Sequence, residues 1–310
     1  MIIGTRGSAL ALAQADIVAR ELQKLGVETE VRTINTHGDA VLDRPLHELS
    51  NVGGVGAFVH EIDEHSLAGD IDIAVHSMKD IPTIRPEQLV TAAILKRDPP
   101  YDVLITRGGD GDEDSTSIDD LPAGAVIGTS SLRRRAQLHR FRGDLDIIDL
   151  RGNINTRMRK LREGVYDGII LAEAGLVRLG WDIGFERLGI DHFIPSANQG
   201  TIAVVTLADS GAGDVVRALD HSQTRIETEI ERIVISVLGG GCDVPIGAFA
   251  EIVGGDRVRV RAEVLSLDGS RYERVDETIP VKGYAEHAER VGVELQAKGG
   301  GALVKEACRY

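Results

Sequence analysis

At 310 residues the chain is too long for one small core, and surface-to-volume scaling predicts two or three domains. A formal net charge of −14 argues against general nucleic-acid binding, which needs a positive surface, and no apolar run approaches the roughly 18 residues of a membrane span. With 42% hydrophobic but only 4% aromatic residues, the interior must be filled by Val, Ile, Leu and Ala, which suits sheets covered by helices and points to an α/β protein.

The start, MIIGTRGSALALAQADIVAR, lacks a basic leader segment and carries Asp16 and Arg20, so a cytoplasmic protein is expected. Cys242 and Cys308 are the only cysteines, too few for a disulfide framework or, alone, for a structural zinc site. The 28 Arg against 7 Lys, together with the acidic run GGDGDEDS at 108–115, suggest a heavily hydrated acidic exterior and a salt-loving host.

In chain order, MIIGTR reads as a short strand, and Ser8 stands at the N-cap of an Ala/Leu-rich helix running to about Leu25. VETEVRTI alternates as a strand does, AFVHEIDEHSLAG is an amphipathic helix, and DIAVHS is a buried strand ending in the polar group HSMKD. After DPPYD at 98–102 the pattern begins again: strands DVLIT and AVIGT, helix SLRRRAQLHRFR, strand LDIIDL, helix NINTRMRKLREG, then GIILAEAG. TIAVVTL is one more strand, and SQTRIETEIERIVISVLGG a long helix. The stretch from AFAEIV to VDETI is an antiparallel meander with GGD and DG turns, and a last amphipathic helix covers about 284–298.

Candidate chemistry gathers where strands hand over to helices. Free N–H groups at the start of SLRRRAQLHR, with Thr129 and Ser130 in the turn and Arg133, Arg134 and Arg135 beyond, suit an anion; a solvated basic helix face is the alternative. LRGNINTRMRK repeats the arrangement with Arg151 and Arg157, and two such sites suggest a ligand bearing several carboxylates or phosphates. Arg6 and Ser8 stand at a third strand-to-helix turn, where Ser8 serves either as a cap alone or as a ligand group as well. HSMKD sets His76, Ser77, Lys79 and Asp80 at a strand terminus. There the Lys and Asp are either a surface pair or, beside an anionic substrate, a proton-handling and cation-stabilising group. Cys242, in GGGCDVPIG, is either a buried inert thiol or a covalent anchor, and Cys308 in the tail EACRY is a bystander.

Taken together, GTRGSALALAQA, NTHGDAVLD, GAFVHEI, DIAVHSMKDIP, GTSSLRRRAQL, LRGNINTRMRKL, YDGIILAEAGLVRLG, NQG and GGGCDVPIGAFAE resemble the porphobilinogen deaminase (hydroxymethylbilane synthase) family along nearly the whole chain. The resemblance implies two α/β domains like type II periplasmic binding proteins around a cleft, 1–95 with 199–215 and 96–198, plus a smaller α+β domain with an antiparallel sheet at 216–310. It implies a transferase of porphyrin biosynthesis that condenses four porphobilinogen units head to tail with release of ammonia, then hydrolyses the chain to hydroxymethylbilane. Cys242 would hold a covalent dipyrromethane primer, and Asp80 would be catalytic. Arg6, Ser8, Ser77, Thr129, Ser130, Arg133, Arg134, Arg151 and Arg157 would bind acetate and propionate groups, with Lys79, Arg178 and Gln199 as further cleft positions. No metal, nucleic acid or membrane enters; a monomer is implied, with hand-off of the product to the next tetrapyrrole enzyme.

This chain departs from the family pattern at Val55 and His60, where lysines are common, and at Asn155 and Asn198, where glycines are common. The rival reading is a two-lobed anion receptor with no chemistry; it leaves Asp80 without a purpose. A nucleic-acid binder built on SLRRRAQLHRFR is opposed by the overall acidity.

Overall fold

The computed structural model describes residues 1–34, 57–107, 116–239 and 244–309. In chain order the first elements are β1 (Ile2–Arg6), α1 (Ala9–Lys24), β2 (Glu30–Ile34), α2 (Ala57–Ala68), β3 (Ile73–Ser77), a 3-10 turn (Met78–Asp80) and β4 (Leu89–Ile94). Next come β5 (Asp102–Thr106), β6 (Val126–Gly128), α3 (Leu132–Phe141), β7 (Asp146–Ile148), α4 (Ile154–Arg162), β8 (Gly168–Ala172), α5 (Glu173–Leu179) and β9 (Glu186–Arg187). The remainder is β10 (Ile202–Leu207), α6 (Gly211–Val216), α7 (Ser222–Leu238), β11 (Ile246–Val253), β12 (Arg257–Leu265), β13 (Tyr272–Pro280), α8 (Tyr284–Leu295) and α9 (Gly301–Ala307).

Two compact units result. Residues Met1–Asp98 and Gly200–Arg225 form the first, and residues from Pro99 to Gln199 and from Ile226 onward form the second.

The first unit is a five-stranded sheet of order β2-β1-β3-β10-β4, in which β1 pairs in parallel with β2 and β3 while β10 runs antiparallel to β3 and β4. The second unit repeats the scheme as β7-β6-β8-β5-β9: β6 is parallel to β7 and β8, and β5 is antiparallel to β8 and β9. The fold is thus mixed α/β of the type II periplasmic-binding-protein kind, each unit placing its one antiparallel strand at the same position in the sheet. A separate antiparallel sheet, β11-β12-β13, follows at the C-terminus.

The two five-stranded sheets are covered on both faces, as strands with nearly continuous apolar runs require. Ile3, Val75 and Val204 meet Ala15, Val18 and Leu22 of α1 on one side of the first sheet, while Ala74 and Ala203 meet Ile62 of α2 on the other. In the C-terminal sheet Val258, Val260, Ala262 and Val264 pack against Ile230 and Val234 of α7 and Ala288, Val291 and Leu295 of α8. Two elements differ from the sequence reading. GIILAEAG splits, with Glu173 onward forming α5, and the last helix is regular only to Leu295, because Gly299 at φ 128° breaks it before α9. β4 and α6 were not anticipated.

Candidate active site

In the first unit the pairing of β1 with β3 in parallel puts their carboxyl ends on one edge of the sheet, the edge at which such folds collect ligands. Arg6 ends β1. Ser8 caps α1, its Oγ accepting the Ala11 N–H at 3.3 Å. Beside them β3 ends at Ser77, whose Oγ accepts a hydrogen bond from Gln14 Nε2 at 2.8 Å. The 3-10 turn that follows is pinned by Met78 N–H to Thr201 O (2.9 Å) and Ile81 N–H to Met78 O (3.1 Å), and the buried Met78 side chain anchors it in the core. Lys79 and Asp80 are left half-buried.

Arg6, Ser8, Gln14, His76, Ser77 and Asp80 line a recess of about 70 Å³. Asp80 makes no salt bridge or side-chain hydrogen bond among the described residues. His76 is 5% exposed and its Nε2 lacks a hydrogen-bond partner among the described residues. Burial, followed by the positive charges of Arg85 and Arg6, pushes its pKa down to about 3, so the ring is neutral at physiological pH. Behind it Arg85 donates to the buried Asp63 of α2. Burial raises the Asp63 pKa against the opposing pull of Arg85. That pair was not foreseen; Arg85 follows a Thr-Ile turn that gives no periodic signal.

In the second unit Ser131 caps α3, accepting from Arg134 N–H at 3.4 Å, with Thr129 buried and Ser130 donating to Leu150 O at 2.6 Å. Arg133 and Arg134 turn inward onto Asp102, which opens β5 and is fully buried. Asp102 accepts from Arg133 Nη1 (2.7 Å), Arg134 Nε (3.0 Å) and Nη2 (2.7 Å), and Gln199 Nε2 (2.9 Å). Burial alone would raise its pKa, but the two guanidiniums and Gln199 hold it well below the usual carboxylate range. Arg133 further donates to Ser196 Oγ, Gln137 Oε1 and Ile194 O, which gives it a positioning place rather than an outward one. The sequence reading overlooked Asp102, though a charged residue opening an apolar strand is a usable signal. It also overlooked the buried Glu263 of β12, which accepts from Gln137 and Arg140.

Arg157 is the outlying cation. It is half-buried, donates to Gly152 O at 2.8 Å and makes no salt bridge among the described residues. Burial and the Arg134 charge lower its pKa to about 10, which leaves it protonated near neutrality. Arg151 is partly exposed, 3.6 Å from Asp149, and Arg178 lies half-buried on α5.

Cys242, Val55 and the acidic run at 108–115 lie outside the described residues. His60 is exposed on α2 and faces Glu64 at 3.5 Å. Asn155 is exposed in the first turn of α4, whose cap is Asn153. Asn198 takes a left-handed φ of 63°, the one non-glycine among the described residues to do so.

Residues 1–213 match the family model described as "Porphobilinogen deaminase, dipyromethane cofactor binding domain", and residues 225–298 match "Porphobilinogen deaminase, C-terminal domain". The chain belongs to the porphobilinogen deaminase family. It is 58% identical to a "Probable porphobilinogen deaminase" of Methanosarcina acetivorans, covering 99% of this chain and 95% of that one. It is 42% identical to the "Porphobilinogen deaminase" of Syntrophobacter fumaroxidans, covering 99% and 97%. Among solved structures, a periplasmic substrate-binding protein of an ABC transporter from Coxiella burnetii aligns at 15% identity and TM-score 0.42, covering 71% of this chain and 91% of that one.

The deaminase family is one of enzymes, and its cofactor is dipyrromethane. The donor set fits such a group: Arg157 is a half-buried cation with no carboxylate against it among the described residues, and the Asp102 cluster sets one carboxylate against two guanidiniums, leaving a net positive charge.

Proposed function

We propose that this enzyme joins four porphobilinogen molecules head to tail, losing ammonia with each, and releases hydroxymethylbilane by hydrolysis. The observation that carries this reading is Asp80. Arg6, Ser8 and Ser77 suit the acetate and propionate groups of the substrate, but a lone half-buried carboxylate among them would repel an anion. Its place makes sense if it faces the pyrrole N–H and the positive charge that develops on the substrate ring as the aminomethyl C–N bond breaks and ammonia departs. Asp80 then handles the proton given up by the pyrrole carbon when the new C–C bond forms.

Held through Cys242, dipyrromethane supplies the primer on which the chain is built. Thr129, Ser130, Arg151 and Arg157 would hold carboxylates of the bound pyrroles, with Lys79 and Arg178 assisting, while Arg133, Arg134 and Gln199, tied to Asp102, keep the arginine cluster in register. The reading has the enzyme acting as a cytoplasmic monomer that passes its product to the next enzyme of tetrapyrrole synthesis.

The intact mass of purified protein is expected to exceed the sequence mass by a dipyrromethane, and Cys242→Ser to lack the addition. Asp80→Asn should lower kcat by about 10² to 10⁴ while still binding substrate, with Asp80→Glu retaining more. Normal turnover by the Asn variant would remove Asp80 from the mechanism. An unmodified wild-type thiol without turnover would instead support the anion-receptor reading.

A further inference from the structure

The wall of the Asp80 recess contains a polar side chain to which the reading above gives no task. His76 is 5% exposed, its Nε2 meets no acceptor or donor among the described residues, and it lines the same recess as Arg6, Ser8 and Ser77. A buried polar nitrogen costs free energy unless something completes it. The neighbouring groups indicate what would do so. The Ser8 oxygen accepts Ala11 N–H and the Ser77 oxygen accepts Gln14 Nε2–H, so both hydroxyl protons are available to a ligand, and Arg6 offers only donors. His76 lines the recess with them, and an N–H on its buried Nε2 would add one more donor for a carboxylate.

We propose that His76 is a specificity-determining residue for the substrate carboxylate bound by Arg6 and Ser8, its ring donating Nε2–H to that group. The proposal rests on the porphobilinogen reading above. Because burial, with the charges of Arg85 and Arg6, keeps the imidazole uncharged, it selects by hydrogen bonding without adding a further positive charge to the recess.

The test is steady-state kinetics of the cofactor-loaded enzyme with porphobilinogen and with its two mono-amides, in which one carboxylate at a time loses its charge. His76→Leu keeps apolar bulk and is expected to raise KM about tenfold to a hundredfold with kcat changed far less. That penalty should vanish for one of the two mono-amides, and His76→Gln, which retains a donor, should recover part of it. In the wild type, the Nε2 resonance of ¹⁵N-labelled His76 should keep its protonated character and shift when substrate is added.

A His76→Leu KM within twofold of wild type overturns the proposal, as does an equal penalty with all three compounds, which marks a packing role. Should the Leu variant fail to fold, an Nε2 resonance unmoved by substrate overturns it equally. Wild-type turnover of porphobilinogen in the same assay separates these outcomes from a failure of the proposed function itself.

Discussion

Replacing Asp102 by Asn tests whether the arginine cluster of the second unit is organised by one buried charge. The carboxylate is wholly inaccessible, and the side chains of its partners Arg133 and Arg134 are 3% and 8% exposed. Asparagine keeps the shape but removes the charge, and its amide N–H₂ turns a donor toward other donors. Two guanidiniums are then buried without a counter-charge, and breaking a buried pair in this way costs about 3–5 kcal/mol. Trp181, the only tryptophan, lies partly buried in the same unit against the Leu161, Ile169 and Leu176 cluster, so its fluorescence reports unfolding of that unit. With a urea dependence of about 3 kcal/mol/M, the midpoint should fall by about 1–1.7 M. The sign with pH follows from the depressed carboxyl pKa. The contribution is complete above the ordinary Asp range and is lost as pH falls through the lower folded value, so wild type and variant should converge only in strong acid. A shift under about 0.3 M at neutral pH would show that the cluster tolerates the missing charge and would refute the argument.

Three further outcomes are expected. Asn198 holds φ 63° while its amide donates to Thr228 O and Glu231, so Asn198→Ala should destabilise by about 2–3 kcal/mol and Asn198→Gly by less, measured as the same urea midpoints. His76 titrates near 3 in the folded protein against 6.5 when unfolded, so its effect on stability is absent above about pH 6.5 and grows adverse as pH falls toward 3. Wild type should lose up to about 1.4 kcal/mol per pH unit from this site, a slope that His76→Leu lacks in denaturation run between pH 7.5 and 4.5. Gly200, at φ 88°, would place a Cβ 2.4 Å from Asp98 O, so Gly200→Ala should lower the melting temperature of the first unit by several degrees, and an unchanged melting curve would contradict the geometry.

Much of the fold was legible because local signals agreed. Ser8 before an Ala-rich run marks a helix start, GGD and DG turns mark the meander, and DPPYD falls at the boundary between the units. β4 escaped because LVTAAI mixes buried and half-buried positions without alternation, and α5 because its start is set by Glu173, whose side chain is committed to Arg187 rather than to a cap. Asn198 stands where the family commonly has glycine, and its own amide, bonded to Thr228 and Glu231, holds a left-handed turn that glycine would otherwise supply.

Residue types and spacing alone determined that arginines, hydroxyls and one carboxylate stand at strand-to-helix turns, because such turns can be read from caps and periodicity. Which of those groups face a ligand is a question of tertiary packing. SLRRR looks like three equivalent cations, yet Asp102, a distant residue in sequence, draws Arg133 and Arg134 into the core, since a buried charge must be met by an opposite one. HSMKD likewise reads as one polar cluster. Only the sheet, by burying Met78 and leaving Asp80 at the recess, separates the anchoring residue from a carboxylate that has no ionic partner among the described residues.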